Sequence, residues 1–269
     1  MKFEINGEFG YELALAVPLV YYHYLKTGNI ETHNTRDTQG LYFFSPNHYE
    51  YDMRRDMFLE VKIDGNHYYR RHHHSADFYH VNNFNVDQWI PPPYGAFFKN
   101  DYFKFEKPIY LISNKYNSEW GGDPVNYLDL DTLDQLFTLL SNDYQVIYNR
   151  ATPKNIVEDN SATYDLGDFK LIEDKYKSKV LTIQELVPPS TTFNITQMMV
   201  HANSNNFISV QGGNAVFSSY FGGSNIVFAK EGGELQSGAF DKWYKNFSGC
   251  EVKHTDNYST LVDLVKQTI

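Results

Sequence analysis

The 269-residue chain predicts an α/β fold made of two parallel-sheet halves facing a cleft. Three observations carry that expectation. From residue 108 onward, short apolar runs alternate with amphipathic stretches, as strands alternate with helices on the faces of a parallel sheet. Residues 206 to 229 read as strand, double-glycine turn, short helix, second glycine turn and second strand. Residues 2 to 45 repeat the theme at the amino-terminal end with a strand, a Gly-containing turn, a helix and a further strand.

In the first half, residues 2 to 6 form the expected opening strand and Gly7 to Gly10 its turn. Residues 11 to 26 have helical apolar spacing, with Pro18 as a bend and Gly28 as the stop. Residues 41 to 45 read as the second strand, closed by Pro46. Residues 57 to 63 follow as a strand with Asp64-Gly65-Asn66 as its turn. Residues 67 to 89 have no usable period, and Pro91 to Pro93 form a rigid extended piece. A boundary at residues 91 to 107 gives an acceptor-side unit of residues 1–106 and a ligand-binding unit of residues 107–269.

In the second half, residues 108 to 113 have a buried-strand pattern. Leu130, Leu133, Leu136, Phe137 and Leu140 form one face of a helix, with Asp129 and Asp131 at its start. Strands are expected at 144–148, around 179–183, at 207–210, at 226–229 and at 250–253. Helices are expected at 195–202, 237–245 and 259–267. Asn214 stands where a helix N-cap would.

Composition removes several function classes. The net charge is −10, from 23 Lys and Arg against 33 Asp and Glu. No basic stripe is present to neutralise a nucleic-acid backbone, so no nucleic acid is expected as partner. The single cysteine, Cys250, excludes an intrachain disulfide framework and fits a reducing, cytoplasmic compartment. The apolar stretch at residues 13 to 25 is too short and too acidic in its approach for a signal or a transmembrane span, and reads as a buried first helix.

Loops after the expected strands hold the candidate site residues. Asn114 and Lys115, Asn149 and Arg150, and Gln211, Gly212, Gly213 and Asn214 would converge on one sheet edge. Backbone N–H groups at a glycine turn that opens a helix suit an anion, and a cation from Lys115 or Arg150 would suit a diphosphate. Across from them, Gly7 to Glu12 is an acidic glycine loop. Glu8 or Glu12 could act as general base, or could simply complement the helix dipole. His48, after Ser45-Pro46-Asn47, is a third candidate base. His72-His73-His74, with His67, His80, Arg70 and Arg71, reads as an exposed loop. An acceptor-binding or membrane-facing loop is its second reading and a metal site its third, because consecutive strand histidines alternate faces.

The run Gln211-Gly-Gly-Asn-Ala-Val-Phe-Ser-Ser-Tyr-Phe-Gly-Gly-Ser-Asn-Ile-Val resembles the donor-binding unit of GT-B glycosyltransferases. The segments ending in Asn114-Lys115 and Asn149-Arg150 are similar to the strand-end loops that face the diphosphate there. The resemblance covers residues 108 to 232. It implies two Rossmann-like domains and transfer of a sugar from a nucleotide-sugar donor to a glycan or other hydroxyl acceptor. Donor contacts would come from Asn114, Lys115, Arg150, Gln211, Gly212, Gly213, Asn214 and Ser218, with Glu8, Glu12 or His48 at the acceptor. The chain departs from it in its reduced first half and in lacking a clear Glu-x7-Glu donor motif, which leans the expectation towards inversion with no metal and no cofactor beyond the donor. The competing reading is a non-catalytic carbohydrate-binding or assembly protein that uses exposed Tyr and Trp.

Overall fold

The computed structural model describes residues 1–70, 81–152 and 162–269. It is α/β, with two sheets. The first has five strands: β1 (Lys2–Asn6), β2 (Glu31–Thr35), β3 (Asn47–Tyr51), β4 (Glu60–Ile63) and β5 (Asn66–Arg70), in the order β3-β2-β1-β4-β5. Strands β1, β2 and β3 are parallel, while β4 and β5 add antiparallel. This sheet is therefore mixed, where a parallel one was expected. The Asp64-Gly65 turn explains the difference, because a two-residue hairpin can join only antiparallel neighbours.

The second sheet contains β6 (Ile109–Ser113), β7 (Gln145–Asn149), β8 (Val180–Thr182), β9 (Ser204–Val210), β10 (Ser224–Phe228) and β11 (Glu251–Thr255). All its pairings are parallel, in the order β11-β10-β9-β6-β7-β8. Counted from β6, that is the 3-2-1-4-5-6 arrangement of Rossmann-like sheets. Strand order reverses between β6 and β9. Alternate residues of each strand serve opposite faces. Tyr110, Ile112, Ile208 and Val210 pack with helices Leu130–Leu140 and Tyr258–Lys266. Leu111, Ile147, Phe207 and Val227 face the other way, into a cluster that continues through Phe217 and Leu15 to Phe3 and Val61 of the first sheet.

Several expected elements moved. Residues 41–45 form turns instead of a strand, held by the Tyr94 hydroxyl on the Leu41 carbonyl and by backbone bonds back to Thr38. The parallel strands on that side of β1 are instead the polar segments Glu31–Thr35, its direct neighbour, and Asn47–Tyr51, the next strand out. Their inward side chains, Thr32, Asn34 and His48, bond to one another or to Glu12, which hides the usual apolar signal. The expected helix at 237–245 is broken by Gly238, which adopts a left-handed conformation between Gly233–Ser237 and Ala239–Lys242. Asn214 lies inside the first helical turn, and Gly212 occupies the N-cap. Helix Leu130–Leu140 and strands β1, β6, β7, β9 and β10 fall close to their expected places.

The first helix ties the two sheets together, and Pro18 explains how. The helical run begins at Phe9–Tyr11, widens into a π-helical turn at Glu12–Ala16 and continues as Val17–Thr27. Pro18 has no N–H, so the carbonyls four and five residues earlier lose their helical donor. Those carbonyls belong to Ala14 and Leu13. The Trp89 indole N–H donates to Ala14 at 2.7 Å, and the Tyr220 hydroxyl donates to Leu13 at 2.6 Å. The gap left by proline thus becomes a docking point for Trp89 and, from the other half of the chain, for Tyr220. No helix among the described residues is long and apolar enough to cross a membrane.

Two measurements follow from this core. Tyr220→Phe leaves the buried Leu13 carbonyl without its donor and should lower unfolding free energy in urea by about 1–3 kcal/mol. The loss should shrink in a Pro18→Ala background, where the backbone N–H can serve instead. Equal losses in the two backgrounds would refute the proline account. His201 is fully buried among Phe207, Phe217 and Phe221, with its Nδ1 on the Gln197 carbonyl. Burial pushes its pKa from 6.5 down to about 3. Between those values the unfolded chain takes up a proton that the folded chain refuses, so stability falls as pH drops below 6.5, by about 1.4 kcal/mol per unit from this group. His201→Leu should flatten the acid limb of stability against pH by that amount.

Candidate functional site

The carboxyl ends of β6 and β9 form the crevice where strand order reverses, the place where open α/β sheets bind ligands. Strand β9 ends at Val210, and the chain turns through Gln211 and Gly212 into helix Gly213–Ser218. Gly212 has φ 109°, a value open to glycine and poorly tolerated by other residues. No side chain caps this helix, and Gly212, Gly213 and Asn214 are each half-exposed. Lys115 leaves the end of β6 and reaches over the same turn. A methyl group at Gly212 would stand 3.3 Å from its Nζ. The expected meeting of the glycine turn with a cation therefore exists, and Lys115 provides the cation.

A polar scaffold fixes Lys115. Glu119 accepts from the Lys115 Nζ at 2.9 Å, from the amides of Val125 and Asn126, and from the Asn126 side chain. Asn126 in turn receives the amides of Lys230 and Glu231 beyond β10 and donates to the Glu231 carbonyl. Gln211, which is 2% exposed, donates to that same carbonyl at 2.6 Å. Asn114 is buried, with its side chain on the Leu128 backbone and the Tyr148 hydroxyl. The Asn214 amide group donates to the Asn114 carbonyl at 3.0 Å. Asn114, Gln211 and the Asn214 side chain thus hold the loops in register, with Lys115 as the cation beside the turn. Ser218 is fully buried at the far end of the helix, away from the turn.

Arg150 is placed differently from the expectation. It forms a bidentate pair with Asp168, at 2.5 Å from Nε to Oδ2 and 2.6 Å from Nη2 to Oδ1. Both side chains are buried, Tyr148 donates to the same carboxylate, and the guanidinium lies over the Phe169 ring. Burial alone would lower the Arg150 pKa, and the hydrogen bond and charge of Asp168 more than offset it. Its geometric role is to anchor the end of β7 to helix Asp168–Leu171, not to reach into the crevice.

The first half meets the glycine turn directly. A methyl group on Gly10 would come within 3.1 Å of the Gly213 backbone, and one on Gly213 within 2.8 Å of the Phe9 ring. Two helix starts therefore pack backbone to backbone. Glu8 caps the first of them, accepting from the amides of Gly10 at 3.1 Å and Tyr11 at 3.3 Å. It is half-buried beside the turn, so Glu8 is the one expected acidic residue brought to the crevice.

Glu12 and His48 are not brought there. Glu12 is completely buried, with Asn34 and Tyr42 on one oxygen and Arg55 on the other. Arg55 also donates to the Gly7 carbonyl at 3.0 Å, so this pair braces the acidic loop from behind. Burial opposes the charge on Arg55, and the Glu12 carboxylate holds its pKa above the ordinary value. His48 lies under the Tyr42 ring, with Thr32 on Nδ1 and Thr38 on Nε2. It approaches Glu50, which burial would raise but which His48 and the amides of Asp37, Gln39 and Thr38 bring down to about 2. Of the histidine-rich segment, residues 71 to 80 lie outside the described residues. His67 pairs with Glu60 on the hairpin at 2.9 Å. Among the described residues no three His, Cys, Asp or Glu side chains converge as a metal site would need.

Three residues escaped the sequence reading. Asp37 stands beyond β2 with φ 58°, and its carboxylate accepts from the Asn194 amide at 3.2 Å. Burial raises its pKa, against the hydrogen bonds from Thr192 and Asn194. From Asp37 a hydrogen-bond chain runs through Asn194 and Gln197 to Asn149 at the end of β7. Glu119 and Trp120 are the others, and the Trp-Gly-Gly turn that holds Trp120 was the only local signal available. Comparison of the chain with protein-family models, curated proteins and solved structures finds no match.

The ion pairs give a direct check. Arg150→Ala and Arg55→Met each strand a buried carboxylate, and each should cost about 3–5 kcal/mol in urea unfolding. A loss below 1 kcal/mol for Arg150→Ala would return that residue to the pool of ligand contacts.

Proposed function

We propose that this chain is a nucleotide-sugar-dependent glycosyltransferase that moves a sugar to a glycan or other hydroxyl acceptor. One observation carries the reading. At the reversal point of a 3-2-1-4-5-6 parallel sheet, the Lys115 ammonium stands over the Gly212 turn beside unfilled helix-start amides, with the acidic loop of a second sheet packed against them. Amides and an ammonium at one turn suit the two phosphates of a nucleoside diphosphate. Placed there, they would also stabilise the negative charge that develops on the leaving group as the glycosidic bond to the donor breaks.

The GT-B arrangement belongs to this reading. In it, the second sheet holds the donor and the first supplies the acceptor side. A carboxylate of the first sheet takes the proton from the attacking hydroxyl, and a single displacement inverts the anomeric centre. Glu8 borders the turn, and Asp37 stands on the next strand end with a carboxyl raised by burial, a useful property in a base. Proton removal by either leaves the product oxygen neutral, while the nucleoside diphosphate departs with the donor's bonding electrons.

Thermal-shift titration with UDP, GDP, CDP and ADP tests donor binding, since a ligand that binds only the folded state raises its melting temperature. At least one should shift the parent. Lys115→Ala should weaken that ligand's binding by roughly 10- to 100-fold, the scale of a charge-assisted hydrogen bond of about 1.5–3 kcal/mol. Glu8→Gln or Asp37→Asn, whichever removes the base, should leave donor binding intact and lower kcat by about 100-fold or more. Nucleoside diphosphates that leave the parent unshifted would defeat the proposal. Binding without turnover on any glycan would favour the non-catalytic carbohydrate-binding reading.

A further inference from the structure

Among the described residues, Trp120 is the one large aromatic side chain displayed, at a conformational cost, on the rim of this crevice. The residue is 60% exposed. Gly122 donates to the Glu119 carbonyl at 2.9 Å, closing a turn in which Trp120 has φ 51° and Gly121 φ 81°. Positive φ at both central positions marks a type I′ turn, whose sites belong to Gly, Asn and Asp. A bulky residue there is uncommon, because its Cβ crowds the backbone in the left-handed region. Burial offsets little of this cost, since most of the residue remains exposed. Strain that persists without a packing return is a pointer to function.

The surroundings say what that function is. Glu119, the preceding residue, holds Lys115 over the Gly212 turn. On the other side, a methyl group at Gly232 would stand 3.3 Å from the indole Cζ2 and would overlap the Gln211 amide. Gly232, with φ 132°, therefore lets the indole edge settle against the backbone after β10, next to the residue that begins the glycine turn. The Glu119 carboxylate holds Asn126, whose side chain takes the amides of residues 230 and 231, so the loop carrying Trp120 is tied to the backbone beyond β10, beside Lys115 and the Gly212 turn.

We infer that Trp120 is the stacking platform for the nucleobase of the donor. The inference rests on the glycosyltransferase reading and deepens it, assigning the planar part of the ligand to a residue that reading does not use. A base has a π-face whatever its identity, so stacking on an indole supplies affinity for nucleoside diphosphates over inorganic pyrophosphate. Base choice then falls to polar groups around its edge.

Calorimetric titration of the full chain with UDP, GDP, CDP, ADP and inorganic pyrophosphate tests this, using the parent, Trp120→Asn and Trp120→Phe. Asparagine accepts the left-handed turn, so that variant should melt at or above the parent temperature. It should bind the preferred nucleoside diphosphate roughly 5- to 150-fold more weakly, the range expected for loss of one base–aromatic stack. Pyrophosphate affinity should stay within about twofold, and phenylalanine should recover most of the lost nucleotide affinity. Equal nucleotide affinities in parent and Trp120→Asn would overturn the stacking role while leaving donor binding standing. An equal loss for pyrophosphate would also overturn it, because Trp120 would then act only by shaping the loop. A parent that binds none of the four nucleotides would remove the glycosyltransferase reading and this inference together.

Discussion

The backbone contact between Gly10 and Gly213 is the constraint on which the rest of this structure depends. It sets two helix starts, one from each sheet, against each other with no side chain between them. Everything else near the crevice adapts to it. Glu8 caps the first helix start, Arg55 and Glu12 brace the loop behind it, and Tyr220 closes the carbonyl that Pro18 leaves open one turn further on. The two halves consequently share one buried cluster from Phe3 to Phe247. The same contact leaves the first-turn amides of the second helix uncapped at the edge of the sheet, where a negatively charged ligand can replace the missing cap.

Two buried clusters of similar chemistry lie on either side of the crevice. Glu12, Arg55 and Tyr42 form one in the first half, and Asp168, Arg150 and Tyr148 the other in the second. In each, a carboxylate takes an arginine and a tyrosine hydroxyl, the arginine of the second pair through two bonds, so that neither charge is left uncompensated. Their value lies less in net stability than in fixing where the loops begin. Lys115 differs from both arginines: it is 23% exposed and its only hydrogen bond among the described residues goes to Glu119. An ammonium on a flexible stem can turn from that carboxylate to a phosphate without unmaking the core.

Legibility in the sequence followed burial chemistry. Helix Leu130–Leu140 was readable because its inward positions are Leu and Phe at helical spacing, above a capping aspartate. Strands β2 and β3 were unreadable because their inward positions are Thr32, Asn34 and His48, satisfied by one another and by a glutamate 22 residues before Asn34. The meeting of Lys115 with the glycine turn was accessible because loops after parallel strands share an edge. Arg150 and Glu12 were misplaced for one reason: a charged residue in a loop looks identical whether it faces solvent or a buried counter-charge. Asp168 and Arg55 are 18 and 43 residues away from their partners, and no local pattern links them.

By itself, the sequence determined the alternation that builds the second sheet, the glycine positions that force its turn, and the acidic character of the opposing loop. These are local properties of backbone freedom, side-chain period and charge. Tertiary structure decided which cation meets the turn, which carboxylate stands beside it, and that Trp120 reaches the rim in a left-handed conformation. It also decided that the first sheet is mixed and that Pro18 is a docking point. Each of those depends on a partner far along the chain, and the free energy of a buried charge or an orphaned carbonyl is set by that partner, not by its neighbours in sequence.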